Sequence, residues 1–73
     1  MAVLKVIEVM ASSSKSWEDA ALNAVKRTSK TVKNIRSVWI KDQSMTVTKS
    51  GKPKEYRVTA KISFEVGENS AKR

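Results

Sequence analysis

The chain contains no cysteine and no histidine. Disulfide staples and zinc sites built on those residues are excluded. So is nucleophilic catalysis by a Ser-His or Cys-His pair. The two glycines, Gly51 and Gly67, stand alone, so there is no phosphate-cradling loop and no dinucleotide fingerprint. The seven Asp and Glu residues are scattered, with no alternating acids of a calcium loop and no evident acid/base pair. No apolar run approaches the ~18 residues of a membrane span. Lys5 and Glu8 interrupt the N-terminal stretch, which lacks the form of a signal peptide. These absences lead to the expectation of a soluble, cytoplasmic protein that is not an enzyme.

The 73 residues permit one domain, expected over residues 2–66, with a polar tail at 67–73. A domain this small buries only about 60% of its unfolded surface. Without disulfide or zinc, self-association is the expected supplement. The net charge of +8 points to nucleic acid, an anionic membrane or a phosphorylated ligand, or simply to a well-solvated surface. Part of the excess has a local reason. Lys26, Arg27, Lys30 and Lys33 fall in the second half of a predicted helix, and Glu18 and Asp19 in its first turn. That is the sign distribution the helix dipole favours.

Residues 3–10 read as a first strand, apolar on both faces and so expected to be covered on both or to pair at a subunit contact. A turn over Ser12 to Lys15 follows. Ser16 with Asp19 resembles a capping arrangement. The helix is expected from Trp17 to Lys33, with Trp17, Ala20, Ala21, Ala24, Val25, Thr28 and Val32 on its apolar face. Asn34 ends it, and Ile35 to Val47 forms a second strand. Lys49 to Pro53 makes the hairpin connection, and Glu55 to Val66 alternates cleanly as a third strand. The fold class expected is α+β: a β-α-β-β chain whose three-stranded antiparallel sheet wraps one helix.

Trp39 fits this pattern least. Val38 and Ile40 belong to the core face, so Trp39 must point to the other one. Strict alternation puts Ser37, Lys41, Gln43 and Met45 beside it, with Arg57, Thr59 and Lys61 on the neighbouring strand. An indole among hydrogen-bond donors suits stacking on a flat heteroaromatic ligand. It suits better an anchor in a subunit interface, where tryptophan is enriched. Binding of single-stranded nucleic acid stands well behind both, because one exposed aromatic is not the paired-aromatic pattern of an RNA-binding sheet.

The layout resembles the dodecin family. The resemblance runs from Val3 to Val66. It is carried by Val6-Ile7-Glu8-Val9 in the first strand and by Ser16-Trp17-Glu18-Asp19-Ala20-Ala21-Leu22-Asn23-Ala24-Val25 at the start of the helix. Asn34 to Gln43 in the second strand and Glu55 to Val66 in the third complete it. The resemblance implies a hollow homododecamer that holds flavin, as FMN or riboflavin, for storage and sequestration. Its flavin-stacking tryptophan falls on Ser37 here, so that Trp39 would reach the same pocket from about 7 Å along the strand. Its flavin-contacting glutamine falls on Arg57, which donates hydrogen bonds but cannot accept them. Trp39 is thus the expected stacking or interface residue, with Arg57 and Gln43 as polar neighbours and Ser37 marking the family's tryptophan position. The alternative implied is a shell without flavin, in which converging Lys41, Arg57 and Lys61 seat another anionic or phosphorylated ligand or ions.

Overall fold

A computed structural model describes residues 3–66; the expectation of a polar tail at 67–73 lies outside them. The elements are β1 (Val3–Ser13), α1 (Trp17–Thr28), β2 (Ile35–Val47) and β3 (Pro53–Val66). They form one antiparallel sheet in the order β1-β3-β2. The β-α-β-β layout with one helix on a three-stranded sheet is as the alternation predicts. β3 takes the centre because the short connection to β2 makes it one neighbour and α1 carries the chain back across the sheet from β1. β1 and β2 are therefore the two edges.

The core lies between α1 and one face of the sheet. Ala20 and Ala24 of α1 bury against Val58, Ala60 and Ile62 of β3. Ile7, Val9 and Ala11 of β1 and Ile35, Val38 and Ile40 of β2 flank them. The two alanines let the helix backbone lie close to the strands. Ile62 is fully buried and carries about 1.5–3 kcal/mol of the burial term. At the other end of the core, the Trp17 and Tyr56 rings meet edge to face at 5.0 Å. The Trp17 Nε1–H donates to the Ser44 carbonyl at 2.9 Å, tying the start of the helix to β2.

Three boundaries differ from the sequence pattern. β1 continues to Ser13, because that residue still pairs with Tyr56 and is buried with its hydroxyl satisfied. Its Oγ donates to Asp19 at 2.6 Å and accepts from the Lys15 N–H at 2.9 Å. The Asp19 N–H in turn donates to Ser16 Oγ at 2.9 Å, which is the expected cap. The helix stops at Thr28 rather than Lys33. The following residues make shorter turns, and the Ser29 hydroxyl bonds back to the Lys26 carbonyl, the local competition that Ser and Thr offer a helix. Lys30 and Lys33 therefore lie beyond the helix, and only Lys26 and Arg27 sit in its last turn. Asn34 does not cap the helix but enters β2 in the left-handed region at φ 64°, its carbonyl accepting from the Glu65 N–H. Asn tolerates that conformation better than most residues.

β2 is irregular in a way its sequence does not announce. The pairing with β3 slips between Ile35 and Ser37 and again between Ile40 and Asp42. Arg36 and Lys41 are the extra residues of two β-bulges, which bend the strand and shift its alternation.

Candidate functional site

Facing pairs in an antiparallel sheet share a face, so the register assigns every residue to the helix side or the outer side. The outer side carries Leu4, Val6, Glu8, Met10 and Ser12 on β1. It carries Arg57, Thr59, Lys61, Ser63 and Glu65 on β3, and Ser37, Trp39, Asp42, Ser44 and Thr46 on β2. None of the described elements packs over it. Trp39 is 66% exposed and Met10 72%, and Leu4 and Val6 are exposed too.

Trp39 stands opposite Lys61, whose Nζ lies 5.4 Å from the indole centroid, within cation–π range. One residue pair away, the Ser37 and Ser63 hydroxyls bond each other across the strands. The two bulge residues reach out over the same face. Arg36 pairs with Glu65 at 2.6 Å, and Lys41 crosses β3 to Glu8 of β1 at 3.4 Å. Each bulge thus inserts one basic side chain and aims it at a carboxylate on another strand. The outer face is an exposed indole set in a lattice of paired charges, bounded by apolar residues on the β1 edge.

The four residues singled out from the sequence do not converge within one protomer. Trp39 and Ser37 share the outer face as expected. Arg57 is on that face as well, but opposite Ser44, about 13 Å along β3 from Lys61, and it pairs with Glu55 at 3.2 Å. Gln43 is on the helix side, opposite Val58, and Met45 goes with it, opposite Tyr56. The bulge at Lys41 is the reason. Strict alternation carries Gln43 outward, whereas the extra residue turns the rest of β2 over and brings Asp42 and Ser44 out instead. Glu8 and Ser63 also belong to the Trp39 surroundings. Alternation along β1 and β3 carries the signal for both once β3 is known to be central; nothing in the sequence marks Asp42 and Ser44.

A second concavity lies on the helix side. A groove of about 710 Å³ runs between α1 and the free edge of β1, with Ile7, Val9 and Ala11 along its floor and Asn23, Arg27 and Thr28 on its rim. Among the described residues no group of three or more His, Cys, Asp or Glu side chains is placed to hold a metal ion. Nor is any helix among them long and apolar enough to cross a membrane.

The Dodecin family model matches residues 3–67. The calcium dodecin of Mycobacterium tuberculosis is 39% identical over 66 residues, spanning 90% of this chain and 92% of that protein. Its crystal structure, described as that of a calcium-chelating antigen with a novel calcium-binding site, superposes with a TM-score of 0.77 at 38% identity, over 89% of this chain and 91% of that one. A dodecin of Thermus thermophilus superposes with a TM-score of 0.86 at 28% identity, over 93% of this chain and 100% of that one.

Proposed function

The chain belongs to the dodecin family, and from that premise we propose that it is a non-catalytic cytoplasmic protein whose copies assemble into a hollow homododecamer. In this reading the shell binds FMN or riboflavin on the Trp39 face and keeps it from light and side reactions. The observation that carries the proposal is Trp39 itself: a two-thirds exposed indole on a sheet face that none of the described elements covers.

The need for neighbours follows from the shape. The radius of gyration is 14.9 Å, against about 11 Å for a compact domain of this length. The protomer extends over 54 × 19 × 14 Å. A chain so drawn out encloses a thin core, leaves the β1 edge unpaired beside an apolar groove, and exposes Leu4, Val6 and Met10. A second copy against these surfaces supplies the missing burial.

The outer face fits a flavin in part. Trp39 offers a stacking surface, and Lys61 beside it, with no ion pair among the described residues, offers positive charge, which favours FMN over riboflavin through its phosphate. When bound, the flavin supplies an electron-poor ring whose excited state a stacked indole quenches. Ser37 leaves room where the family has its tryptophan. Arg57 and Gln43 contribute to a Trp39 site only if they come from another copy, since within one chain they are distant or on the opposite face.

The name of the M. tuberculosis relative favours a second reading, calcium binding. Within one protomer the residues do not fit that ion. Glu8, Glu55 and Glu65 are each committed to a Lys or Arg, leaving Asp42 as the outer-face carboxylate with no ion pair among the described residues.

Two measurements decide. Native mass spectrometry is expected to show a dodecamer; a monomer would sink the assembly. FMN titrated with the assembled protein is expected to lose its fluorescence, more strongly than riboflavin, and Trp39→Ala to abolish the loss. Full flavin fluorescence at saturating protein, with calcium bound under the same conditions, would transfer the site to the second reading.

A further inference from the structure

The outer face neutralises its own charge, because Arg36, Lys41 and Arg57 are each paired with a glutamate. The far end of the β2–β3 hairpin does not. From Gln43 to Lys54 there is no carboxylate, while Lys49, Lys52 and Lys54 are all present. All three are exposed, and none makes an ion pair among the described residues. β1 ends opposite Tyr56, and Trp17 at the start of α1 reaches Ser44 and Tyr56. Beyond those residues the hairpin continues as a two-stranded ribbon with neither β1 nor the helix beside it.

The tip of this ribbon is well tied. The Thr48 N–H donates to the Lys52 carbonyl at 2.8 Å, and the Gly51 N–H to the Thr48 carbonyl at 2.9 Å. The Thr48 hydroxyl bonds Ser50 Oγ at 3.1 Å and accepts from the Lys52 N–H at 3.2 Å. Gly51 turns the chain at φ 86°, a conformation that glycine adopts at little cost. A further register slip between Thr46 and Val47 leaves Lys54 as an extra residue on β3. Three like charges are therefore carried within six residues at one end of the ribbon, on an ordered backbone, where each raises the free energy of the others.

We propose that this ribbon tip is a contact element for the phosphate backbone of double-stranded nucleic acid. No tip residue lines the groove beside β1; small anions are held in concave sites, so an extended polyanion is the better complement of the exposed lysines. The tip from Thr48 to Lys54 carries no apolar residue other than Pro53, so it lacks what an amphipathic element inserts into a bilayer. A two-stranded ribbon matches the width of the major groove. With no Arg, Asn or Gln at the tip, the contact has no planar side chain to read base edges; its lysines meet phosphates as point charges, and it takes any sequence. The element is separate from the Trp39 face, and the inference does not depend on whether that face binds flavin.

The test uses the full-length assembled protein and a labelled mixed-sequence duplex, followed by fluorescence anisotropy over a salt series. Native protein is expected to bind, and a second duplex of unrelated sequence to bind equally well. The combined variant K49S/K52S/K54S is expected to flatten the plot of log affinity against log salt by about 2.7 for each ribbon engaged. Going from about 50 to about 200 mM salt then weakens native binding about 40-fold more than variant binding, per ribbon. K49R/K52R/K54R is expected to retain the native slope. Neutralising Lys26, Lys30 and Lys33 removes the same charge elsewhere and is expected to cost much less. Equal losses from the two neutralised variants, or native binding by the tip variant, would overturn the proposal. Binding to inorganic polyphosphate without binding to duplex would also overturn it. Circular dichroism and native mass confirm that each variant keeps its fold and assembly.

Discussion

The two faces of the sheet are built from the same three strands and solve opposite problems. On the helix side, Ala20 and Ala24 seat α1 against Val58, Ala60 and Ile62, and the chain closes that core itself except at the groove beside β1. On the outer side, Trp39, Leu4, Val6 and Met10 remain in solvent, and the ordered contacts are hydrogen bonds and ion pairs. The first face holds the protomer together. The second is unfinished at the level of one chain and is where a neighbour or a ligand adds energy.

Substitutions on each face can break or sharpen that contrast. The largest effect is expected from Ile62→Ala, which removes a fully buried side chain from the central strand. It should cost about 2–5 kcal/mol in denaturant unfolding; a cost below about 1 kcal/mol would mean that the helix side is not the core. Ala24→Leu tests the closeness of the helix to the sheet. Overpacking there should cost about 1–3 kcal/mol, whereas a stabilised protein would show a gap under the helix that the added side chain fills. Ser16→Ala removes the hydroxyl that accepts from the Asp19 N–H and should lower stability by about 1 kcal/mol. Helical circular dichroism and the unfolding midpoint both report on it. The smallest effect belongs to the outer face. Arg36→Ala breaks the pair with Glu65, in which the arginine side chain is half exposed, and should cost under about 1 kcal/mol. A double-mutant cycle with Glu65→Ala measures the coupling, and a value well above that would show the outer face stabilising the protomer in its own right.

How far the sequence reveals this molecule depends on how regular each strand is. β3 alternates without interruption from Tyr56 to Val66, so its faces, its place against the helix and the core residues Val58, Ala60 and Ile62 are legible directly. The cap at Ser16 is equally plain, because the side chain that satisfies the Asp19 N–H lies three residues away. The end of the helix is less legible. Val32 continues the apolar spacing, but the hydroxyl-rich segment around it bonds locally and leaves the helix at Thr28. β2 is legible only as far as Ile40. Trp39 is correctly read as outward, and Gln43 is misplaced, because a bulge is a matter of pairing between strands that no residue of β2 declares. Arg57 is placed on the right face but not near Trp39, since distance along the strand depends on the register with β3.

The bulge at Lys41 has a consequence for how such a chain can change over time. It acts on the strand as a frameshift acts on a message: everything after it is read in the other phase. Loss of that one codon would remove the bulge and restore plain alternation without turning the distal half of β2 over, because Asp42 would follow Ile40 directly and stay opposite Thr59. Gln43 and Met45 would stay on the helix side, and Ser44, whose carbonyl holds Trp17, would keep its place; what would go is the Lys41 pair with Glu8. Point substitutions at the surface adjust one contact at a time. A single-residue deletion at the bulge does little more, so lineages that differ by that residue would keep both faces, the helix and the central strand, and would differ in the bend of β2 and in one basic side chain.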